Sequence, residues 1–331
     1  MKARRLILTV AMALMIALLI AVPASATGLS DVQGPYANSI NTLSHWGIVG
    51  GYADGTFKAE NLVTRAQFAK MITLTAGYAV TAADVCTFKD APAIDAANPL
   101  YPGAYVAVAA ENDVILGYTD NTFGFDDNVT RQQVISMAVR AAGATLAEAP
   151  AGWQGVFDYT DPTHGQNIKT AEYNGWLAGI ADLYSWDVTA NATRGEAAHL
   201  LAQLLAKVGN AAVGTSGAIR VTGAVDSPMG LTAGRLTNLG LVTLTVEHPK
   251  NGPTEYTGVR FSTLLTLLGV QSSAVDMVAT ASDGYIWTIK IADIESQADA
   301  MLAIDGSKLN LVMPGQVSKA WVKDVASLEF K

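Results

Sequence analysis

The stretch NLVTRAQFAKM, residues 61–71, decides how the first half of the chain is built. Thr64 and Gln67 have the spacing of a capping box: the Thr hydroxyl accepts from the amide three residues on, and the Gln side chain reaches back to the Thr amide. Arg65 is then the first helical residue. A cation at that end opposes the helix dipole by about 0.3–1 kcal/mol, so its position needs a reason. The same arrangement returns as Thr130-Arg131-Gln132-Gln133 and as Thr193-Arg194-Gly195-Glu196, 66 and then 63 residues further on. Recurrence at a near-constant period marks an internal repeat.

Apolar stripes start four residues after each Thr: Phe68, Met71, Ile72; Val134, Met137, Ala138; Ala197, Leu200, Leu201, Leu204. The i, i+3, i+4 spacing gives three helices with one buried face each. Gly77, Gly143 and Gly209 follow them as expected C-caps. Upstream of the first box, Tyr36, Ile40 and Leu43 form another helical stripe that ends at Trp46-Gly47. The loop Gly51-Tyr52-Ala53-Asp54-Gly55-Thr56-Phe57 follows, and its counterpart is Gly117-Tyr118-Thr119-Asp120-Asn121-Thr122-Phe123. Asp-Gly and Asp-Asn supply tight turns. Around Asp182-Leu183-Tyr184 the third copy is one residue longer and lacks the Gly-Thr pair. Each repeat is therefore helix, turn-rich loop, helix.

A first helix ending near Trp-Gly, a G-Y-x-D-G-T-F loop and T-R-A-Q or T-R-G-E opening a second helix resemble the S-layer homology module. The resemblance covers residues 30–209. It implies an all-α pseudo-threefold bundle of three modules, 27–80, 81–145 and a degenerate 146–209. It also implies binding to secondary cell-wall polysaccharide, typically pyruvylated, with S-layer or other envelope proteins as possible neighbours.

On that resemblance the glycan-binding residues are Arg65, Arg131, Arg194, Trp46, Asp54, Gly55 and Asp120, with Thr64, Thr130 and Thr193 as the helix caps of the sites. An Arg beside helix amides makes an anion site in which the guanidinium forks onto a carboxylate. The other reading has each Arg locked to Asp54, Asp120 or Asp182. Recurrence in one frame favours the ligand, and the degenerate loop makes Arg194 the arginine expected to matter least. Trp46, replaced by Asn112 and by Gly175 or Asn174 in the other repeats, is either a sugar platform or core. The sequons at Asn128 and Asn191 are expected to be coincidental, because their Thr residues are committed as caps.

Lys2, Arg4 and Arg5, the apolar run from Leu6 to Val22 and Ala24-Ser25-Ala26 read as a signal peptide, residues 1–26. Its 17 apolar residues are short for a span of about 20. The reading is a secreted protein of a bacterial cell wall or surface, with no membrane span after cleavage. Cleavage takes away three basic residues and no acidic ones, so the net charge falls from −8 to −11. That balance disfavours nucleic acid and requires any anionic ligand to be caught by placed donors. The one cysteine, Cys86, excludes an internal disulfide and is expected to be a small buried side chain.

Residues 210–217 are small and read as a linker. After them the period becomes two: Ile219, Val221, Gly223, Val225, and then Val242, Leu244, Val246. Asn251-Gly252 and Asp283-Gly284 are hairpin signals. A strand is expected through Tyr285, Trp287, Ile289 and Ile291, and short helices over Ser262–Leu268 and Ile294–Leu302. Residues 218–331 thus form a small α+β domain rich in strand.

The segments TVEHPKNGPTEYTGVRFSTLL (245–265), ASDGYIWTI (281–289) and LVMPGQVSKAWVKDV (311–325) resemble the molybdopterin-binding fold of sulfite-oxidase-type enzymes. The metal-binding thiolate of that family would fall near Glu247 or His248, and neither is Cys. The resemblance implies the fold and counts against its redox chemistry, so no cofactor and no catalytic residue are assigned. His248 with Glu247 and Glu255 lacks metal-ligand spacing and reads as a solvated strand end, so no metal site is assigned either. Two functions follow: a noncatalytic surface protein held by its repeats, or a wall-anchored oxidoreductase-like enzyme.

Overall fold

The computed structural model describes residues 28–209 and 217–331. The signal peptide, the expected mature start at Thr27 and all but the last residue of the linker lie outside the described residues. Six helices build the first half: α1 (Ala37–His45), α2 (Arg65–Ala76), α3 (Gly103–Glu111), α4 (Arg131–Ala142), α5 (Gly165–Tyr173) and α6 (Arg194–Val208). All three capping boxes form. Thr64, Thr130 and Thr193 accept from the amides of Gln67, Gln133 and Glu196, whose side chains reach back to the Thr amides.

Helices α2, α4 and α6 pack against one another in all three pairs. Each shorter helix lies on the long helix of a different repeat: α3 on α2, α5 on α4, and α1 on α6. The contacts thus run from repeat to repeat and close on themselves. Phe57, Phe68, Phe123, Ile72, Ile135, Ile168 and Trp176 fill the shared interior. No repeat buries its own apolar face alone, so the three fold as one body.

The helix ends differ from expectation. Gly77 is left-handed at φ 79° and caps α2 as the sequence suggests. Gly143, at φ 51° and ψ −134°, leads instead into a 3-10 turn over Gly143–Thr145. Gly209 stays helical at φ −57°, because its carbonyl accepts from Gly230 N and from Arg235 Nη1 at 3.0 Å. A partner beyond the helix thus replaces the turn.

The second half is α+β, so the described chain is multidomain. Its strands are β1 (Ala218–Gly223), β2 (Leu231–Thr232), β3 (Val242–His248), β4 (Gly252–Arg260), β5 (Asp276–Ala281), β6 (Ile286–Lys290), β7 (Met301–Asp305), β8 (Lys308–Val312) and β9 (Val325–Phe330). They form a sheet of order β2-β1-β9-β5-β6, in which β1 and β9 are parallel, and an antiparallel sheet of order β3-β4-β7-β8. Short helices α7 (Ala233–Thr237), α8 (Phe261–Leu268) and α9 (Ile291–Glu295) flank them.

Both expected hairpins are present, β3–β4 and β5–β6. The helix expected over Ile294–Leu302 is a correction. Ile291 already opens α9, which ends at Glu295, and Met301 and Leu302 belong to β7. The run Ala300-Met301-Leu302-Ala303 is fully buried, and β7 lies between β4 and β8. Sheet burial on both faces overrides the helical spacing.

The two halves meet at Arg235, which is almost entirely buried. Its guanidinium donates to the carbonyls of Gly209, Gly230, Val208 and Thr75, at 2.7 to 3.5 Å. Three of these carbonyls belong to the last turns of α2 and α6, where the helix dipole is negative. Burial pulls the guanidinium down to about 10. Thr232 Oγ1 donates to Gly77 O, and a ring nitrogen of His45 lies 2.6 Å from Leu267 O.

Candidate functional site

The three arginines share a cyclic geometry that spacing alone does not reveal. Arg65, in the first repeat, donates from Nε to Phe123 O of the second at 2.7 Å, with its guanidinium 4.6 Å above the rings of Tyr118 and Phe123. Arg194, in the third, does the same to the first: Nε donates to Phe57 O at 2.9 Å, and the guanidinium lies 5.0 Å from the Tyr52 ring and 4.5 Å from that of Phe57. Arg131, in the second, reaches the third and stands 4.8 Å over Trp186. Each site is therefore made by two repeats.

The loops beneath the arginines are rigid. Asp54 accepts from the amide and hydroxyl of Thr56, and Asp120 from those of Thr122. Gly55 at φ 78° and Asn121 at φ 65° take the left-handed turn position. Asp31 accepts from the amides of Phe57 and Lys58, and Asp90 from those of Phe123 and Gly124. The Thr56 hydroxyl, with Lys58, brings Asp54 down to about 2. No hydrogen bond or ion pair joins Asp54, Asp120 or Asp182 to Arg65, Arg131 or Arg194 among the described residues; Asp54 pairs with Lys58 at 2.9 Å. The proposed aspartate locks do not form.

The helix amides are not open to a ligand. Arg65 N donates to Asp127 O and Ala66 N to Phe125 O; Arg131 N and Gln132 N donate to Ala190 O and Val188 O; Arg194 N and Gly195 N donate to Asn61 O and Ala59 O. With the capping boxes these use the first three amides of each helix. An anion there has only the guanidinium to meet it, which corrects the expectation of free amides beside each Arg.

The three guanidinia are not equivalent. Arg131 forks onto Glu196, Nε to Oε2 at 3.1 Å and Nη2 to Oε1 at 2.6 Å, while Nη1 donates to Asp187 O. Glu196 also accepts from Trp186 Nε1 at 2.7 Å and from the Thr193 amide at 2.9 Å. Burial acts to raise this carboxyl, but the bonds from Arg131, Trp186 and Thr193 outweigh it and leave it below its ordinary value. Every nitrogen of the Arg131 guanidinium is thus engaged.

Arg65 and Arg194 are 5% and 8% exposed and make no ion pair among the described residues, although Asp127 and Asp90 act on Arg65, and Asp31 on Arg194, from a distance. Apart from Nε, only Arg194 Nη2 makes a further bond, to Gly50 O at 3.3 Å. Burial lowers the pKa of both. Their remaining N–H groups retain contact with solvent, since they are not among the fully buried atoms left without a partner. Two buried cations with spare donors thus lie beside the half-exposed rings of Tyr118 and Tyr52.

Trp46 does not join these sites. It is 7% exposed and packs near Leu74 and Leu205, nine residues and about 14 Å along α2 from Arg65. The structure gives it a core role under the second domain, beside Arg235 and Leu239. The partners that sequence reasoning missed are Tyr52, Tyr118, Asp31, Asp90 and Glu196. The repeated Gly-Tyr and the switch from Gln to Glu at the third helical position were their signals.

In the second domain, His248 Nδ1 accepts from the amides of Lys250 and Asn251, and its ring stands edge-on to Trp321 at 4.7 Å. Among the described residues no group of three or more His, Cys, Asp or Glu is placed to hold a metal ion. The chain's one cysteine, Cys86, packs in the helical half near Gly103, away from Glu247 and His248.

Residues 29–69 and 87–135 match the S-layer homology domain. The first two repeats are S-layer homology modules. Similar curated proteins include a "Surface layer protein" of Brevibacillus choshinensis, 27% identical over 140 residues, and a "Middle cell wall protein" of Brevibacillus brevis, 27% identical over 123. They cover 41% and 36% of this chain but only 12% and 11% of their own lengths. An "Endoglucanase" of Bacillus sp. strain KSM-635 is 33% identical over 102 residues, 31% of this chain and 10% of its own. The chain thus spans about a tenth of each relative. The sulfane dehydrogenase SoxCD from Paracoccus pantotrophus is similar over 34% of this chain and 37% of its own, at 20% identity and a TM-score of 0.30. The S-layer homology modules, with the surface-layer and cell-wall relatives, support a secreted protein held at the cell surface. No helix among the described residues is long and apolar enough to cross a membrane.

Proposed function

We propose that the chain is a noncovalent anchor whose three repeats, the degenerate third included, close into a pseudo-threefold bundle and grip an anionic secondary cell-wall polysaccharide. The observation that carries this is the pair Arg65 and Arg194: buried guanidinia with unused donors and no direct ion pair among the described residues. A buried charge without a partner is costly. A carboxylate such as a pyruvyl ketal relieves that cost by forking onto the spare N–H groups. Tyr52 and Tyr118 offer ring faces to the attached sugar. Arg131, saturated by Glu196, holds the second and third repeats together. The second domain is displayed by the anchor; it has a fold of the molybdopterin-binding kind without that group's ligand and takes no part in redox chemistry.

The test is a pull-down of the mature chain with purified cell walls, before and after chemical removal of the wall polymer. Binding should be lost with the polymer, and a chain lacking residues 28–209 should stay in solution. Retention on stripped walls, or by the deleted chain, would overturn the reading.

A further inference from the structure

The second domain carries a cleft that the anchoring function does not use. It has a volume of about 290 Å³ and opens where three segments converge: Lys250 on the β3–β4 turn, Asp283 and Tyr285 on the β5–β6 turn, and residues 318–323 between β8 and β9. Lys250, Lys319, Lys323 and Trp321 line it. None of the three ammonium groups has an ion pair among the described residues, although the mature chain is strongly acidic. The one carboxylate in the lining, Asp283, accepts from the Tyr285 amide at 2.9 Å. The neighbouring Asp324 is drawn to Lys308 at 3.3 Å and to Ser282 Oγ at 2.7 Å.

The backbone around the cleft is fixed. His248 Nδ1 pins the turn that carries Lys250, and Tyr285 Oη donates to Lys319 O at 3.1 Å. Trp321, buried against His248, has an indole N–H that finds no acceptor. Three lysines from two separate segments thus border a space worth about ten waters at ~30 Å³ each.

We infer that this cleft binds a small polyvalent oxyanion, a di- or trianion carrying carboxylate or phosphate groups. Lysines converging from separate turns suit several charges on one compact molecule better than a single flat carboxylate, which arginine forks onto.

The test is calorimetric titration of the full mature chain with citrate, with pyrophosphate and with neutral glucose. At least one anion should bind with one-to-one stoichiometry and lose affinity as salt rises, and glucose should give no heat. The stronger of the two identifies the group as carboxylate or phosphate. Lys319→Ala/Lys323→Ala should weaken binding about tenfold or more. Lys169→Ala/Lys207→Ala, which removes the same charge from the helical half, should leave it unchanged. The lysine-dependent heat should persist in Arg65→Ala/Arg194→Ala, which separates it from the helix-start sites. No heat with either anion, or equal losses in the two lysine pairs, would overturn the inference.

Discussion

The Arg131 site and the Arg65 and Arg194 sites share one motif and one cyclic geometry, yet they differ in what meets the guanidinium. Arg131 faces Glu196, the third helical residue of the next repeat, and every polar atom of that pair is engaged. By the same rotation Arg65 faces the repeat of Gln133, and Arg194 that of Gln67. Glutamine completes a capping box as well as glutamate does, but it brings no charge to its neighbour. One oxygen-for-nitrogen exchange therefore separates an internal ion pair from a cation left without one. In the proposed reading the same Arg is a strut in one position and a receptor in the others.

The largest effect should come from breaking the strut. Arg131→Ala leaves Glu196 buried and unpaired, a loss of about 3–5 kcal/mol of stability, read as a lowered melting temperature. Below that melt, wall binding should be close to wild type. A melt unchanged from wild type would show that the pair contributes nothing.

Arg65→Ala and Arg194→Ala should each weaken wall binding by about 1.5–3 kcal/mol, the value of a charged hydrogen bond. Their melts should move less than that of Arg131→Ala, since no carboxylate is orphaned. Wall-binding isotherms beside thermal melts check both halves of the statement.

A smaller change should close an open site. Gln133→Glu ought to supply Arg65 with the partner that Arg131 already has. The expected result is a gain of stability of about 1 kcal/mol or less together with weaker wall binding; a gain of binding would sink the comparison.

The smallest effect is in pH. Glu196 sits below its ordinary value of 4.5. Its contribution is therefore present above that value and is lost as pH falls through the lower folded value. Melting temperatures between neutral and acidic pH should fall more steeply in wild type than in Glu196→Gln.

Much of this was legible in the sequence. The capping boxes, the Asp-Gly-Thr and Asp-Asn-Thr turns and the two hairpins depend on neighbours within a few residues, and they form as read. The partner of each arginine was not legible, because Arg194 meets Phe57 across 137 residues and no local spacing encodes that closure. For the same reason the helix amides looked open: the carbonyls that use them belong to other repeats. Trp46 was ambiguous because an aromatic at a helix end suits a platform and a core equally, and only the second domain packed over it decides. Met301 and Leu302 suited a helix until two neighbouring strands claimed them.

The most direct test is the wall-binding isotherm of Arg194→Ala beside that of Arg131→Ala, measured at a temperature where both variants are folded. Arg194→Ala should lose most of its affinity and Arg131→Ala should keep it. The opposite order, with binding lost at the saturated Arg131 and retained at the unpaired Arg194, would contradict the division between strut and receptor.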